Sequence, residues 1–399
     1  MTEFDALQLL REIEDVGRDG RRGGYSRHVF DDAERDLRDW FVERAQRLGL
    51  RVTTDRNANL WAWWGEPGPD AFVTGSHLDS VPGGGAHDGP LGVVSALAAV
   101  ERLKAGGFVP SRPFAVVVFA EEEGSRFGVA CLGSRLLSGA MTPDRLAQLT
   151  DASGQRYIDV ARDASLPEPG YDAEALSRIG MYVELHVEQG KGLVDLDSPV
   201  AVGSSILEHG RWRIDVRGQG NHAGTTEISD RHDPMLPAAA AVLAARRAAL
   251  VRIGSRATIG RLEPMPGGTN VIASRVSAWM DVRADSEADT RDIVDEVRAA
   301  VVEAAAAEGC EASVIEESYS GEVLFDPQLR DRIATNLGGV PVLPTGAGHD
   351  AGVLAAHVPT AMLFVRNPSG VSHAPEEGAD DAAVQAGVDA LVRTIEDLS

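Results

Sequence analysis

Two hydrophobic periods alternate along the first half of the chain. Apolar residues at helical spacing run from Phe4 to Val16, with Ala6, Leu9, Ile13 and Val16 on one face. They recur from Asp31 to Leu48, where Trp40, Phe41, Ala45 and Leu48 make the stripe and Gly49 stops it. Arg51-Val-Thr-Thr and Leu60-Trp-Ala-Trp-Trp read as two strands joined through residues 55–59. Ala71-Phe-Val leads a third strand into a glycine-rich turn, and a helix follows over 91–103. Pro113 to Ala120 is an unbroken apolar, β-branched run, the pattern of a strand covered on both faces. Strand, helix, strand in this order predicts an α/β sheet with crossovers.

The second half reads differently. After polar short helices over 151–179, Met181 to Gly190 alternates as a strand. Val200-Ala-Val-Gly203 reads as a boundary, and from Ile206 the pattern changes. Residues 211–217, 257–260, 269–272, 277–283 and 311–315 read as strands, with long helices over 234–250 and 286–308. This predicts a small open-faced α/β sandwich at 207–322, inserted into a larger discontinuous domain of 1–206 and 323–399. The chain then returns with a helix over 326–337, an edge strand at 340–343, a buried strand at 360–365 and a closing helix over 382–398.

Composition narrows the function classes. A chain of 399 residues fits two domains. With 38 Lys and Arg against 61 Asp and Glu, net −23, nucleic acid and anionic membrane are disfavoured as partners, while a small anionic substrate is not. Cys131 and Cys310 form no disulfide framework, and no signal peptide or long apolar span is visible. The expectation is a cytoplasmic enzyme.

The candidate chemistry gathers at strand ends. His77-x-Asp79 closes the third strand, Gly83 to Gly85 allow a sharp turn, and Asp88 arrives on its far side. A metal can take His77 while Asp79 accepts the other imidazole N–H. The buried run ends in Glu121-Glu122-Glu123, which persists only with a cation or a held proton to offset repulsion. A second strand ends in His186, with Glu184 and Glu188 expected on the same face, and a third leads to His373. Three imidazoles and several carboxylates exceed the needs of one ion and suit two, with Asp88 as bridge. One ion takes His77 and His186, the other a glutamate and His373. Water between two cations loses its proton easily, and a spare glutamate can carry that proton to a leaving nitrogen. This is hydrolysis at a planar carbonyl. His222 can donate to the oxyanion, Arg283 can clamp a carboxylate, and Asn270 can add an amide contact.

In order, GSHLDSVPGGGAHDG, EEEGSRFG, ELHVEQG, GNHAGTT, GGTNVI, DVRADS, GAGHDA and VSHAPEE resemble the amidase branch of the dinuclear metallopeptidase superfamily. That branch holds N-carbamoyl-L-amino-acid hydrolases, β-ureidopropionases and allantoate amidohydrolases. The resemblance implies a larger catalytic domain with a mixed sheet flanked by helices, plus a smaller inserted lid and dimerisation domain. It implies His77, Asp88, Glu123, His186 and His373 as ligands of two divalent ions, zinc or else manganese, cobalt or nickel. Glu122 matches the general base and Asp79 the carboxylate behind the first histidine. Gln189, His222, Asn270 and Arg283 match substrate-binding positions. A homodimer through the inserted domain is implied, its lid histidine reaching the partner's site.

The implied activity is cleavage of the ureido C–N bond of allantoate or an N-carbamoyl-L-amino acid. An aminoacylase or dipeptidase of the same superfamily is the alternative. A non-catalytic binding protein on this fold requires a lost ligand or base, and none is missing. Two stretches depart from the pattern. Before His373 the chain reads Val365-Arg366-Asn367-Pro368-Ser369-Gly370 instead of the branch's more common apolar–Pro–Ser pattern, and Arg366 and Asn367 are expected to border the substrate. The loop Arg21 to Arg27 carries an extra arginine that could meet a second polar group. His349 with Asp350 is expected to organise a helix start, and His87 to lie exposed on a turn. His28, His209, His232 and His357 stand outside the constellation, and Cys131 reads as packed.

Overall fold

The computed structural model describes residues 5–399. Phe4, where the first helix was expected to begin, lies outside the described residues. Within them that helix is Ala6–Glu12, and the Asp5 carboxylate accepts the Leu7 N–H at its start. The chain divides into two compact units. One runs up to Ile206 and resumes over Leu324–Ser399; the other is Leu207–Val323.

Strands are numbered along the chain. The first unit contributes β1 (Arg51–Thr54), β2 (Leu60–Trp64), β3 (Ala71–His77), β4 (Phe114–Phe119), β5 (Ile179–Val187) and β6 (Val200–Ile206). The second contributes β7 (His209–Arg217), β8 (Asn221–His222), β9 (Arg256–Met265), β10 (Val271–Ile272), β11 (Arg275–Arg283) and β12 (Glu311–Ser320). The chain returns through β13 (Val323–Leu324), β14 (Val342–Thr345) and β15 (Thr360–Val365).

The large sheet has nine strands in the order β1-β2-β4-β3-β5-β15-β6-β13, with β14 beside β6. At its centre β4, β3, β5 and β15 run parallel, while β1 and β2 extend it antiparallel on one side. All of β3, β4 and β15 are buried, as their near-continuous apolar sequences require. The two Phe and three Val of β4 alone contribute roughly 10 kcal/mol of apolar burial. That is enough to hold a strand end whose next three residues are glutamates. The main core joins these strands to the helices Asp32–Arg47, Pro90–Ala105 and Asp381–Leu398. Pro90–Ala105 packs directly on β5: a Cβ at Gly92 would lie 2.3 Å from the Leu185 carbonyl oxygen.

Val200 to Gly203 does not mark a boundary. It opens β6, which pairs with β15 and β14. Three small apolar residues before a glycine resemble a linker only until the neighbouring strands are known.

The second unit is a four-stranded antiparallel sheet, β12-β7-β11-β9, with a separate β10-β8 pair. One face buries Trp212, Ile214, Val216, Ala278, Met280 and Val282 against the helices Met235–Leu250 and Glu287–Ala307. Alternation along β7 and β11 follows from this single covered face.

Candidate metal centre

The parallel strands of the large sheet end beside one another, and their ends carry the donors. His77 closes β3 and is buried. Its Nδ1 lies 3.0 Å from the Asp79 backbone carbonyl. A carbonyl only accepts, so the proton sits on Nδ1 and the Nε2 lone pair is free for a cation. His186, near the end of β5, is arranged alike, with Nδ1 2.9 Å from the Val187 carbonyl and a buried, unpartnered Nε2.

Asp79 therefore orients His77 through its backbone oxygen rather than its carboxylate, which was the expectation. The carboxylate does something else. Oδ1 accepts the Glu122 N–H at 3.2 Å and Oδ2 the Glu123 N–H at 3.1 Å. It pins the exit of β4, from which both glutamates project.

Asp88 reaches the site from the turn before the helix Pro90–Ala105. Gly89, at φ +84°, makes that turn possible, since a Cβ there would lie 2.4 Å from the His77 ring. Asp88 Oδ1 is 3.3 Å from His186 Nε2, and Oδ2 is 3.8 Å from His373 Nε2. Glu123 Oε2 lies 3.5 Å from the same His373 nitrogen. Two groups result: His77, Asp88 and His186, and Asp88, Glu123 and His373. Within each, all donor atoms lie within 4.8 Å of one another. Asp88 belongs to both. Glu122 lies alongside, its Oε2 3.7 Å from His77 Nε2.

The electrostatics point to missing positive charge. Burial pushes Asp88 up to about 6. It raises Glu122 well above the ordinary range, helped by Asp350, and Glu123 likewise, helped by Asp88. Burial and then His186 bring His77 down to about 3. Among the described residues no Arg or Lys pairs with Asp79, Asp88, Glu122 or Glu123. Buried Asp88 Oδ2 and His186 Nε2 lack any hydrogen-bond partner. An orphaned carboxylate oxygen on the His373 side of Asp88 and an orphaned imidazole nitrogen on its other side, without a counter-charge, fit divalent cations.

Gln189 joins this cluster, its amide nitrogen 3.3 Å from Asp88 Oδ1 and 3.4 Å from Glu377 Oε1, with a buried, unpartnered Oε1. Two further residues stand beside the donors: Glu377, to which no motif assigned a role, and His349, expected at a helix start and found there before the helix Asp350–Leu354. Glu377 accepts the His373 N–H at 2.7 Å. His349 is buried with neither ring nitrogen hydrogen-bonded, its ring centroid 4.5 Å from that of His186. The glycine-rich loop over 345–352 marks the helix start in the sequence, but the contact of His349 with His186 does not follow from it.

Other expectations resolve differently. β5 stops at Val187, so Glu188 leaves the His186 face, and its carboxylate takes the Gly192 and Leu193 N–H groups at 2.6 and 3.0 Å. Glu184 is buried against the Ser76 hydroxyl and the Ala351 N–H. Arg366 pairs with Asp380 and Asp197, and Asn367 organises its own loop through Ser369, Gly370 and Val371. Arg27 is buried and donates to the Val16 and Ile13 carbonyls. These arginines hold the fold locally.

In the second unit His222 and Asn270 come together. His222 pairs with Val271 across β8 and β10, and the Ala223 N–H donates to the Asn270 carbonyl at 3.0 Å. The Gly224 N–H donates to His222 Nδ1 at 3.0 Å, which leaves the ring proton on Nε2 as an outward donor. Arg283 is not with them. It pairs with His209 at the opposite end of β11, next to Asp281. The β10-β8 pair precedes Arg275 and follows Arg217, at the other end. Arg275 to Arg283 spans roughly 27 Å at about 3.4 Å per residue.

Comparison with known proteins agrees with this chemistry. Residues 73–397 match peptidase family M20/M25/M40. An N-carbamoyl-L-amino acid amidohydrolase of Geobacillus stearothermophilus is 35% identical over 398 residues, 97% of this chain and 96% of the relative. An allantoate amidohydrolase of Escherichia coli (strain K12) is 29% identical over 377 residues, 92% of each. The crystal structure of a hydantoinase/carbamoylase-family amidase from Burkholderia vietnamiensis superposes with a TM-score of 0.87 at 28% identity, covering 100% of this chain and 98% of the other. Amidohydrolases of this family are dinuclear metal enzymes, and the paired donor groups are the candidate site for metal here. The chain belongs to peptidase family M20/M25/M40, in its amidohydrolase branch.

Proposed function

We propose that this chain hydrolyses the ureido C–N bond of a carbamoyl acid, an N-carbamoyl-L-amino acid or allantoate, with two divalent ions. The observation that carries the reading is the pair of three-donor groups sharing buried Asp88 without a counter-cation, one of them wholly buried and the other opening to solvent at His373. His77 and His186 would hold one ion and Glu123 and His373 the other, with Asp88 common to both donor groups. Zinc suits these donors, as do manganese, cobalt and nickel. Bound there, the ions polarise the substrate carbonyl and make water acidic.

The chain's own residues supply the rest. Glu122 takes the proton of the attacking water as oxygen bonds to the ureido carbon, then delivers it to the leaving nitrogen as the C–N bond breaks. Ammonia leaves, and the carbamate loses carbon dioxide to give the amine. The unpartnered Gln189 Oε1 suits a ureido N–H. His222 Nε2–H is a donor for the developing oxyanion, Asn270 adds an amide contact, and Arg283 is a two-pronged partner for the substrate carboxylate.

Arg283 lies at one end of β11, and the β10-β8 pair that carries His222 joins the chain at the other, roughly 27 Å along the strand, which argues against one small substrate meeting Arg283 and His222 of the same subunit. We infer a homodimer through the inserted domain, in which the Arg283 and the His222 that serve one substrate come from different subunits. Leu236, Leu243 and Leu250, seven residues apart on one helix and 53%, 63% and 70% exposed, supply an apolar stripe for that contact.

Ammonia release by manganese- or zinc-loaded protein from allantoate and a panel of N-carbamoyl-L-amino acids tests the reading, with N-acetyl amino acids as control. Turnover of a ureido class with a silent control is expected. Turnover of the control alone would replace the reading with an aminoacylase.

A further inference from the structure

Cys131 was read as an ordinary packed residue, but its thiol touches the proton carrier. The residue sits just before the helix Leu132–Ser138 at φ 54°, a left-handed conformation. Three successive N–H groups tie it there. Cys131, Leu132 and Gly133 donate to the carbonyls of Glu122, Glu121 and Ala120 at 2.6, 3.0 and 2.9 Å. The segment is laced onto the exit of β4. Cys131 is 3% exposed, and its sulfur lies 3.3 Å from Glu122 Oε1. Glu122 Oε2, the other oxygen, faces His77. Among the described residues the thiol is the hydrogen-bond donor to this carboxylate.

We propose that Cys131 is a positioning residue for Glu122: its S–H holds Oε1 at the back of the site, so that Oε2 faces the donor groups where water and substrate meet. Burial, then the neighbouring Glu122 and Asp350, keep the thiol well above its ordinary pKa, so the sulfur carries the proton it donates. Backbone ties fix the sulfur and Asp79 fixes the Glu122 N–H, which leaves the carboxylate rotation as the freedom the thiol removes. The inference rests on the assignment of Glu122 as proton carrier.

Cys131→Ala and Cys131→Ser test it, because both keep a Cβ in the left-handed conformation and only serine keeps a donor. For Cys131→Ala we expect kcat to fall about tenfold or more, with KM, bound metal and melting temperature unchanged, and for Cys131→Ser most of kcat to return. Crystal structures of the metal-loaded variants give a readout independent of activity. Glu122 should hold one rotamer in the wild type and Cys131→Ser and lose it in Cys131→Ala. An unmoved Glu122 and an unchanged kcat in Cys131→Ala would overturn the inference, as would equal losses in both variants. Glu122→Gln, run in parallel, separates the two levels. If it stays active, the proton-carrier assignment fails; if it is inactive while Cys131→Ala matches wild type, only the positioning role fails.

Discussion

In the large sheet His77, the glutamates and His373 come from or after strands buried along their whole length, whereas in the inserted unit His222, Asn270 and Arg283 sit at or beyond the ends of strands with one open face. The first arrangement leaves little freedom. His77 and His186 each spend one ring nitrogen on a backbone carbonyl, and Glu122 and Glu123 are pinned through their own N–H groups by Asp79. The second leaves its polar groups outward and divides them between two ends of a sheet. A rigid cluster suits the reacting atoms, where small displacements are costly. Exposed, divided groups suit recognition completed by a second body.

The largest effect should come from the rigid side. Glu122→Gln should lower kcat by about 10²–10⁴-fold, the usual contribution of a positioned proton carrier. Both ions should remain by elemental analysis. Loss of metal together with activity would instead make Glu122 a ligand.

The divided side gives a sharper, intermediate test. His222→Ala and Arg283→Ala should each cripple the enzyme, Arg283→Ala chiefly through KM. Mixed and re-associated, they should regain up to about a quarter of wild-type activity, since half the dimers pair the two variants and each such dimer has one intact site. No recovery on mixing would place His222 and Arg283 in the same site.

The smallest effect concerns the metal-free protein. Burial raises Asp88 to about 6 and Glu121 and Glu377 to about 7. A carboxyl raised on folding keeps its proton at pH values where the unfolded chain has released it, so its contribution is full at low pH and declines through about 4 to 7. The melting temperature of chelator-treated protein should fall between about pH 4 and 7, and added zinc or manganese should flatten the slope. A metal-free melting temperature that rises with pH over this range would contradict the charge balance assigned to the cluster.

Much of the centre was legible because each donor follows an apolar run that announces a strand: Phe72-Val before His77, Val116 to Phe119 before the glutamates, Leu363 to Val365 before His373. The hydrophobic pattern places the strand, and the strand end places the donor. Contacts between distant segments were not legible. Asp79 meets the exit of β4 through its carboxylate, the Cys131 thiol meets Glu122 and the His349 ring packs tilted against His186, and none of these follows from local pattern. Charge in glycine-rich loops misled in the other direction. Arg27 and Arg366 looked available to a substrate, yet one lies under helix-end carbonyls and the other pairs with aspartates. The separation of Arg283 from His222 needed the strand register, which fixes the two ends of β11.

The central claim is that Asp88 joins two cation sites. Anomalous diffraction from crystals of the zinc- or manganese-loaded protein tests it most directly. Two peaks about 3.5–4 Å apart are expected, one beside His77 and His186, the other beside Glu123 and His373, with Asp88 reaching both. A single peak, or two that do not share Asp88, would contradict the account.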